Sequence, residues 1–154
     1  MKSMKILVFG SNGLVGSSLK RHLSVDKRFE CFFSTRKDTD LFSFDDTKNR
    51  IQDFGPNLII NAAAKVGGIH ANNTEGSSFL IENLKININI LESIIGSPYI
   101  KLINLGSSCI YPLNASNPIK EESFRNASII LLTVNGKISV KIAVIIKTEV
   151  EINT

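Results

Sequence analysis

The stretch Lys5-Ile-Leu-Val-Phe-Gly10-Ser-Asn-Gly13-Leu-Val-Gly16 decides the fold of this chain. A short apolar run stops at a glycine, and two more glycines follow at intervals of three. Apolar and small residues then recur at helical spacing, namely Leu14, Val15, Ser18, Leu19 and Leu23. Strand, glycine turn and helix in this order are typical of a nucleotide-binding βα unit. We therefore expect the first unit of a Rossmann-type fold.

Each of the three glycines has a predicted role in such a unit. Gly10 forms the tight turn, Gly13 lets the backbone approach a pyrophosphate, and Gly16 lets the helix pack closely on the strand. The helix N-terminus then faces the phosphates with its unpaired N–H groups. The alternative is a glycine-rich turn without a ligand. The candidate cofactor-binding residues here are Gly10, Ser11, Asn12, Gly13, Leu14, Val15 and Gly16.

Composition limits the class of protein. A chain of 154 residues is long enough for one domain with a sizeable core. The net charge of +4 is spread without a run of Lys or Arg, which suits an anionic small ligand and argues against nucleic acid. Cys31 and Cys109 lack metal-ligand spacing, so we predict no metal and reduced thiols in the cytoplasm. Neither a signal peptide nor a membrane-spanning segment of roughly 18 apolar residues is expected.

The second predicted strand, Phe29 to Ser34, leads to the residues that choose the cofactor. In a Rossmann unit an acidic side chain at this point binds the ribose 2′-hydroxyl, whereas an Arg accommodates a 2′-phosphate. Here Arg36 and Lys37 occupy the position, which favours NADP. The alternative is a pair of solvated surface cations. Asp40 and Leu41 are expected beside the adenine.

The remaining apolar segments predict a doubly wound α/β fold, with helices on both faces of a parallel sheet. A short helix over Lys48–Phe54 follows three residues, Asp45 to Thr47, that suit a helix start. Further strands are predicted at Leu58–Ala62 and Ile100–Leu105. A long amphipathic helix is predicted from Glu75 to Ser97, with an apolar stripe formed by Phe79, Leu80, Leu84, Ile88, Leu91, Ile94 and Ile95.

Two loops at predicted strand ends carry a family resemblance. Ala62-Ala-Ala-Lys65-Val-Gly67-Gly68-Ile-His70-Ala-Asn72-Asn73-Thr74 and Gly106-Ser107-Ser108-Cys109-Ile110-Tyr111-Pro112 closely resemble loops of the GDP-L-fucose synthases. These enzymes are NADP-dependent epimerase/reductases of the extended short-chain dehydrogenase family, where the G-x-x-G-x-x-G spacing also occurs. Lys65, at the end of a strand, is a candidate contact for phosphate or ribose. His70 is either an acid/base or a solvated loop residue.

The resemblance implies a GDP-sugar substrate, GDP-4-keto-6-deoxy-mannose, epimerised at C3 and C5 and then reduced at C4 by NADPH. Ser107 would hydrogen-bond the C4 oxygen, and Cys109 would act as the acid/base of epimerisation. A thiol has a suitable pKa for moving protons α to a ketone. The alternative for Cys109 is a small buried apolar residue. Ala63, Leu105 and Gly106 complete the expected cofactor contacts.

The resemblance runs from about residue 5 to about residue 124 and then decays. The family's Tyr-x-x-x-Lys pair is absent, because neither Tyr99 nor Tyr111 has a lysine four residues later. Asn135-Gly136, between Ile129–Val134 and an alternating apolar run, predicts a β-hairpin. We therefore divide the chain into an NADP-binding domain, residues 1–125, and a divergent tail, residues 126–154. A truncated or frameshifted reading frame, with impaired or no activity, would explain this pattern.

Three other interpretations stay open. The chain could be a non-catalytic NADP-binding remnant, or a different sugar-nucleotide epimerase or dehydratase on the same fold. It could also fail to fold stably, because a long alternating strand with a free edge favours aggregation. A homodimer is compatible with all but the last.

Overall fold

The computed structural model describes residues 3–67, 69–106 and 116–120, with the backbone alone for 69–76. Within these ranges strands and helices alternate along the chain. The strands are β1 (Met4–Phe9), β2 (Phe29–Ser34), β3 (Leu58–Asn61) and β4 (Lys101–Asn104). The helices are α1 (Leu14–Leu23), α2 (Phe44–Phe54) and α3 (Ile69–Ile94).

The four strands form one parallel sheet in the order β2-β1-β3-β4. Phe9 at the end of β1 pairs with Ser34 on one side and with Asn61 on the other, and Asn61 pairs with Asn104. All four strands therefore end at the same edge of the sheet. The chain turns outward from β1 to β2 and then crosses back to β3. The point between β1 and β3 is thus the topological switch, where ligands bind in open α/β sheets.

Apolar side chains of the strands form a core on each face of the sheet. Alternate residues of β1 point to opposite faces, so Leu7 and Phe9 belong to one cluster and Ile6 and Val8 to the other. The first cluster packs against α2 and α3 through Ile51, Ile86, Ile90 and Ile94. The second packs against α1 through Leu19 and Leu23. The predicted doubly wound α/β arrangement is confirmed for the described residues.

Helix α2 begins earlier than predicted. Its first residue is Phe44, because the Ser43 hydroxyl caps the helix by accepting a hydrogen bond from the Asp46 amide at 3.2 Å. Asp45 and Asp46 lie in the first turn, as expected for carboxylates at the positive end of a helix. Gly55 ends α2 in the left-handed conformation, with φ of 61°.

Helix α3 differs from its prediction at the start and in its buried face. It begins at Ile69, inside the segment that was expected to be a loop. Phe79 and Ile94 are buried as predicted, and the other buried positions are Ile86 and Ile90. The prediction is wrong for four residues of the apolar stripe, which are exposed: Leu80 (62%), Leu84 (47%), Ile88 (43%) and Ile95 (55%). Apolar residues occur around much of this helix, and described residues cover the sides that meet the sheet, α2 and the segment after β3.

The predicted hairpin and the proposed boundary at residue 125 lie outside the described residues. In the parts of the chain that are described, no helix has both the length and the apolar content needed to cross a membrane.

Candidate cofactor site at the switch point

Two backbone segments touch directly where β1 and β3 end. Gly10 has a φ of 75°, and a Cβ added there would lie 2.6 Å from the Ala63 nitrogen and 2.7 Å from the Ala62 carbonyl oxygen. No side chain fits at this position without moving backbone. The glycine therefore sets how closely the turn after β1 approaches the segment that leaves β3.

Gly13 and Gly16 shape the start of α1. Gly13 is the N-cap, and its amide donates to the Gly10 carbonyl at 3.0 Å. A Cβ added at Gly16 would come within 2.1 Å of that same carbonyl oxygen, so the helix lies directly against the turn. Gly13 offers no side-chain cap, which leaves the first helical N–H groups facing the edge of the sheet. This is the arrangement that suits an anion.

A tight turn follows β2 and carries two cations at its tip. The amide and the hydroxyl of Thr35 donate to the Asp38 carboxylate at 2.8 and 2.6 Å, and the Asp38 amide donates back to the Thr35 carbonyl at 3.0 Å. These bonds hold the pKa of the Asp38 carboxyl below its ordinary value, the Thr35 hydroxyl being the largest cause. Arg36 and Lys37 are both exposed at the tip of this turn.

The glycine turn, the turn after β2 and the segment after β3 enclose a cavity of ≈ 430 Å³. Its lining includes Gly13 from the first segment, Arg36 and Lys37 from the second, and Ala63 and Lys65 from the third. The cavity therefore lies at the topological switch point, and its lining combines the N-cap of α1 with three cationic residues and Asp40. Anionic, elongated ligands suit such a lining.

The segment after β3 is held on α3 by side chains. Asn83 accepts from the Lys65 amide at 2.8 Å and donates to the Lys65 carbonyl at 2.9 Å. The Lys65 ammonium donates to Glu82 at 2.5 Å and lies 5.2 Å from the centre of the Phe79 ring. The bond from Lys65, followed by one from the Ser78 hydroxyl, lowers the pKa of Glu82. Lys65 thus reaches the cavity with its charge already partnered.

Asparagine side chains join the ends of β3 and β4. The side-chain nitrogen Nδ2 of Asn61 donates to the side-chain oxygen of Asn104 at 2.7 Å and to that of Asn87 in α3 at 3.3 Å. The side-chain oxygen Oδ1 of Asn61 accepts from the backbone N–H of Ala63 at 3.1 Å. Asn61 is 2% exposed, so these bonds satisfy a polar group that burial would otherwise destabilise. They link the segment lining the cavity to the strand that leads toward Ser107 and Cys109.

The structure brings together about half of the predicted site residues. Those that line the cavity are Gly10, Asn12, Gly13, Arg36, Asp40, Leu41, Ala63 and Lys65. Ser11 lies behind the turn, 1% exposed, and its hydroxyl donates to the Ser34 carbonyl at 2.9 Å. Gly16 is buried within α1.

Several other predicted residues lie away from the cavity. Leu14 and Val15 project from the first turn of α1 with 90% and 44% exposure. Leu105 and Gly106 follow β4, where the Leu105 amide donates to the Asn61 carbonyl at 3.1 Å. Ser107 and Cys109 lie outside the described residues, as does the His70 side chain.

Sequence reasoning missed the residues that hold these segments in place. Thr39 and Arg50 fix the turn after β2, Glu82 and Asn83 fix the segment after β3, and Asn61 ties β3 to β4. Arg50, Glu82 and Asn83 belong to no glycine or strand-end motif. Asn61 does lie at a strand end and Thr39 in the turn after β2, but nothing local identifies their distant hydrogen-bond partners. Among the described residues, no group of three or more His, Cys, Asp or Glu side chains could hold a metal ion.

A protein-family model described as the NAD dependent epimerase/dehydratase family matches residues 6–129. The chain belongs to this family. The predicted relationship to NAD(P)-dependent epimerases is therefore confirmed.

Within the family, the chain is similar to GDP-L-fucose synthase 1 of Arabidopsis thaliana, with 42% identity over 128 residues, 83% of this chain and 40% of that protein. GDP-L-colitose synthase of Yersinia pseudotuberculosis is 38% identical over 119 residues, 77% of this chain and 38% of that protein. The predicted resemblance to GDP-L-fucose synthases is thus confirmed. The chain spans about 40% of the length of these curated relatives.

Solved structures give the same picture. A GDP-L-fucose synthetase from Naegleria fowleri bound to NADP has a TM-score of 0.72 and 28% identity, covering 86% of this chain and 40% of that one. A structure named DdhaC has a TM-score of 0.74 and 32% identity, covering 84% of this chain and 38% of that one. The sheet and its flanking helices therefore match those of a GDP-L-fucose synthetase.

Proposed function

We propose that this chain binds NADP and belongs to an NADP-dependent sugar-nucleotide epimerase/reductase resembling GDP-L-fucose synthase. The observation that carries the proposal is that Arg36 and Lys37 line the same switch-point cavity as the glycine turn. Arg36 and Lys37 suit a 2′-phosphate, and the glycine turn after β1 suits a pyrophosphate. NADP is the common cofactor that presents both groups.

The residues around the cavity fit this cofactor. Gly13 has an exposed backbone at the N-cap of α1, where a pyrophosphate could approach the helix N–H groups. Asp40 and Leu41 continue the lining beyond the turn that carries Arg36, on the side where the adenine would lie. The similarity to a GDP-L-fucose synthetase bound to NADP supports the same choice.

For the reaction, we propose a GDP-4-keto-6-deoxy sugar as substrate, epimerised on the carbons beside the ketone and then reduced. NADPH supplies the hydride. Ser107 would hydrogen-bond the C4 oxygen, and Cys109 would exchange the α protons. Asn104 ends β4 at the same edge of the sheet as the cavity, and Ser107 follows three residues later in the sequence. The GDP-L-fucose and GDP-L-colitose synthases among the relatives support a GDP-sugar.

A second candidate is NADP binding without turnover. It is favoured by the absence of a Tyr-x-x-x-Lys pair from the 154 residues, because loss of one proton-transfer group typically lowers a rate by ~10²–10⁴-fold. A homodimer and a cytoplasmic location stay predictions from the sequence.

Calorimetric titration of the full chain with NADPH and with NADH tests cofactor binding. Selective NADPH binding is expected, and binding of neither dinucleotide, or preference for NADH, would contradict the proposal. Consumption of NADPH with GDP-4-keto-6-deoxy-mannose then separates the two candidates. Turnover that Cys109→Ser abolishes supports the epimerase/reductase, whereas binding without turnover supports the second candidate. Turnover of UDP-sugars instead would move the chain to another branch of the family.

A further inference from the structure

Arg50 reaches from the middle of α2 to the turn that carries Arg36 and Lys37. Its Nε donates to the Thr39 hydroxyl at 3.2 Å, and one terminal nitrogen donates to the Asp38 carbonyl at 3.0 Å. The guanidinium carbon also lies 4.5 Å from the centre of the Phe32 ring, which supports the flat face of the group. Arg50 is therefore fixed by a strand, and in turn fixes two successive residues of the turn.

The contact to Thr39 continues into a buried chain of hydroxyls. The Ser34 hydroxyl donates to the Thr39 hydroxyl at 2.9 Å, and the Ser11 hydroxyl donates to the Ser34 carbonyl at 2.9 Å. These three residues are 1%, 5% and 1% exposed, in the order Ser34, Thr39 and Ser11. Arg50 thus closes a network that begins in the glycine turn. The glycine turn and the turn after β2 are joined through it.

Because of this network, the backbone that carries Arg36 and Lys37 is already ordered before a ligand binds. Binding a phosphate between Arg36 and Lys37 would require both side chains to be presented together. If the turn moved freely, that ordering would reduce the affinity for the phosphate. A ligand without the 2′-phosphate makes no demand on this geometry.

Arg50 also offsets a negative charge. Asp38 lies in the same turn as the two cations, and an uncompensated carboxylate there would repel a phosphate. The Arg50 charge is among the causes that keep the pKa of Asp38 low, after the bonds from Thr35. Removing the guanidinium would leave the carboxylate with less cationic compensation.

From these contacts we infer that Arg50 is a positioning residue that sets selectivity for a 2′-phosphorylated dinucleotide. It acts by holding the turn of residues 35–39, not by touching the ligand. The inference rests on the proposed NADP binding and adds to it a residue that lies outside the cavity lining.

The test compares NADPH and NADH affinities of full-length variants by calorimetry. Arg50→Met keeps a long side chain over the Phe32 ring but removes the charge and both donors. We expect it to weaken NADPH binding about tenfold, through lost ordering of the turn, and to leave NADH within about twofold. Arg50→Lys keeps the charge without the planar fork, so an intermediate loss is expected. Lys48→Met, on the same helix but over the Phe44 ring, is the matched control and should leave both affinities unchanged.

A merely structural role would lower both affinities together, along with the melting temperature, and that result would overturn the inference. Unchanged NADPH selectivity in Arg50→Met would overturn it as well. If Arg50→Met does not melt cooperatively, the NADPH/NADH ratio of Arg50→Lys decides, since this variant preserves charge and bulk. A wild-type chain without NADPH preference would instead contradict the proposed function, so the two failures are distinguishable.

Discussion

Replacing Gly16 by alanine sets two physical effects against each other. Gly16 lies within α1, where alanine is favoured over glycine by about 1 kcal/mol because it restricts the unfolded chain. The added methyl group, however, would lie 2.1 Å from the Gly10 carbonyl oxygen and 2.7 Å from the Ser11 Cα. Both neighbours are backbone atoms, and ordinary contact begins only at 3.4 Å.

The steric effect should win. Overpacking in a tight site typically costs about 1–3 kcal/mol, and the upper part of that range applies because no flexible side chain can move aside. After the gain in helix propensity, we expect the free energy of unfolding to fall by about 2 kcal/mol. At about 4 °C per kcal/mol for a chain of this size, the melting temperature should drop by about 8 °C.

Thermal and urea unfolding of the full chain, followed by circular dichroism, measures this change. Gly13→Ala is the matched control, since its Cβ would meet only the Gly10 oxygen at 3.3 Å and its φ of −74° suits any residue. We expect it to cost under about 1 kcal/mol, the usual loss when alanine replaces glycine at an N-cap. It should nevertheless weaken NADPH binding, because its methyl group would face the pyrophosphate.

A melting temperature of Gly16→Ala equal to or above that of the wild type would refute the steric argument. Equal destabilisation by both variants would refute it too, since the close contact exists at Gly16 alone of the two.

Two further predictions concern polar contacts. Asn61→Leu should lower the free energy of unfolding by about 2 kcal/mol, because it leaves part-buried polar groups of Asn104 and Ala63 without a bond. Adding Asn104→Leu should recover part of the loss in urea unfolding. A fully additive double variant would contradict this coupling. The hydrogen bonds from Arg28 lower the pKa of Asp26 from 3.8 to about 2, so the pair stabilises the fold above pH 3.8 and loses its effect as the pH falls toward 2. Wild type and Asp26→Asn should differ only slightly in melting temperature, because the pair is largely exposed. That difference should shrink as the pH falls from 3.8 to about 2, and a difference that grows over this range would contradict the stabilising role of the pair.

The strands and the glycine turn could be predicted because their signals are local. An apolar run followed by Gly10 needs no distant information, since only a glycine adopts a φ of 75° easily and apolar runs of this length are buried in parallel sheets. For α2, the two aspartates and Gly55 mark the helix within the segment itself, whereas the Ser43 cap, which makes Phe44 and not Lys48 the first helical residue, was missed.

The buried face of α3 could not be predicted in the same way. Leu84 and Ile88 are as apolar as Ile86 and Ile90, and both pairs recur at helical spacing. Only the rotation of the helix on the sheet decides that the isoleucines at 86 and 90 enter the core, with 6% and 1% exposure. Periodicity identifies an amphipathic helix, but it cannot choose between apolar faces when more than one is present.

By itself, then, the sequence determined the order of strands and helices, the glycine turn and the cationic residues that favour NADP. The tertiary structure decided how these parts are held: Arg50 on the turn after β2, Glu82 on Lys65, and Asn61 between two strands. Such contacts join residues far apart in the chain. They depend on which strands become neighbours and how each helix is rotated, and no local pattern of residues encodes either.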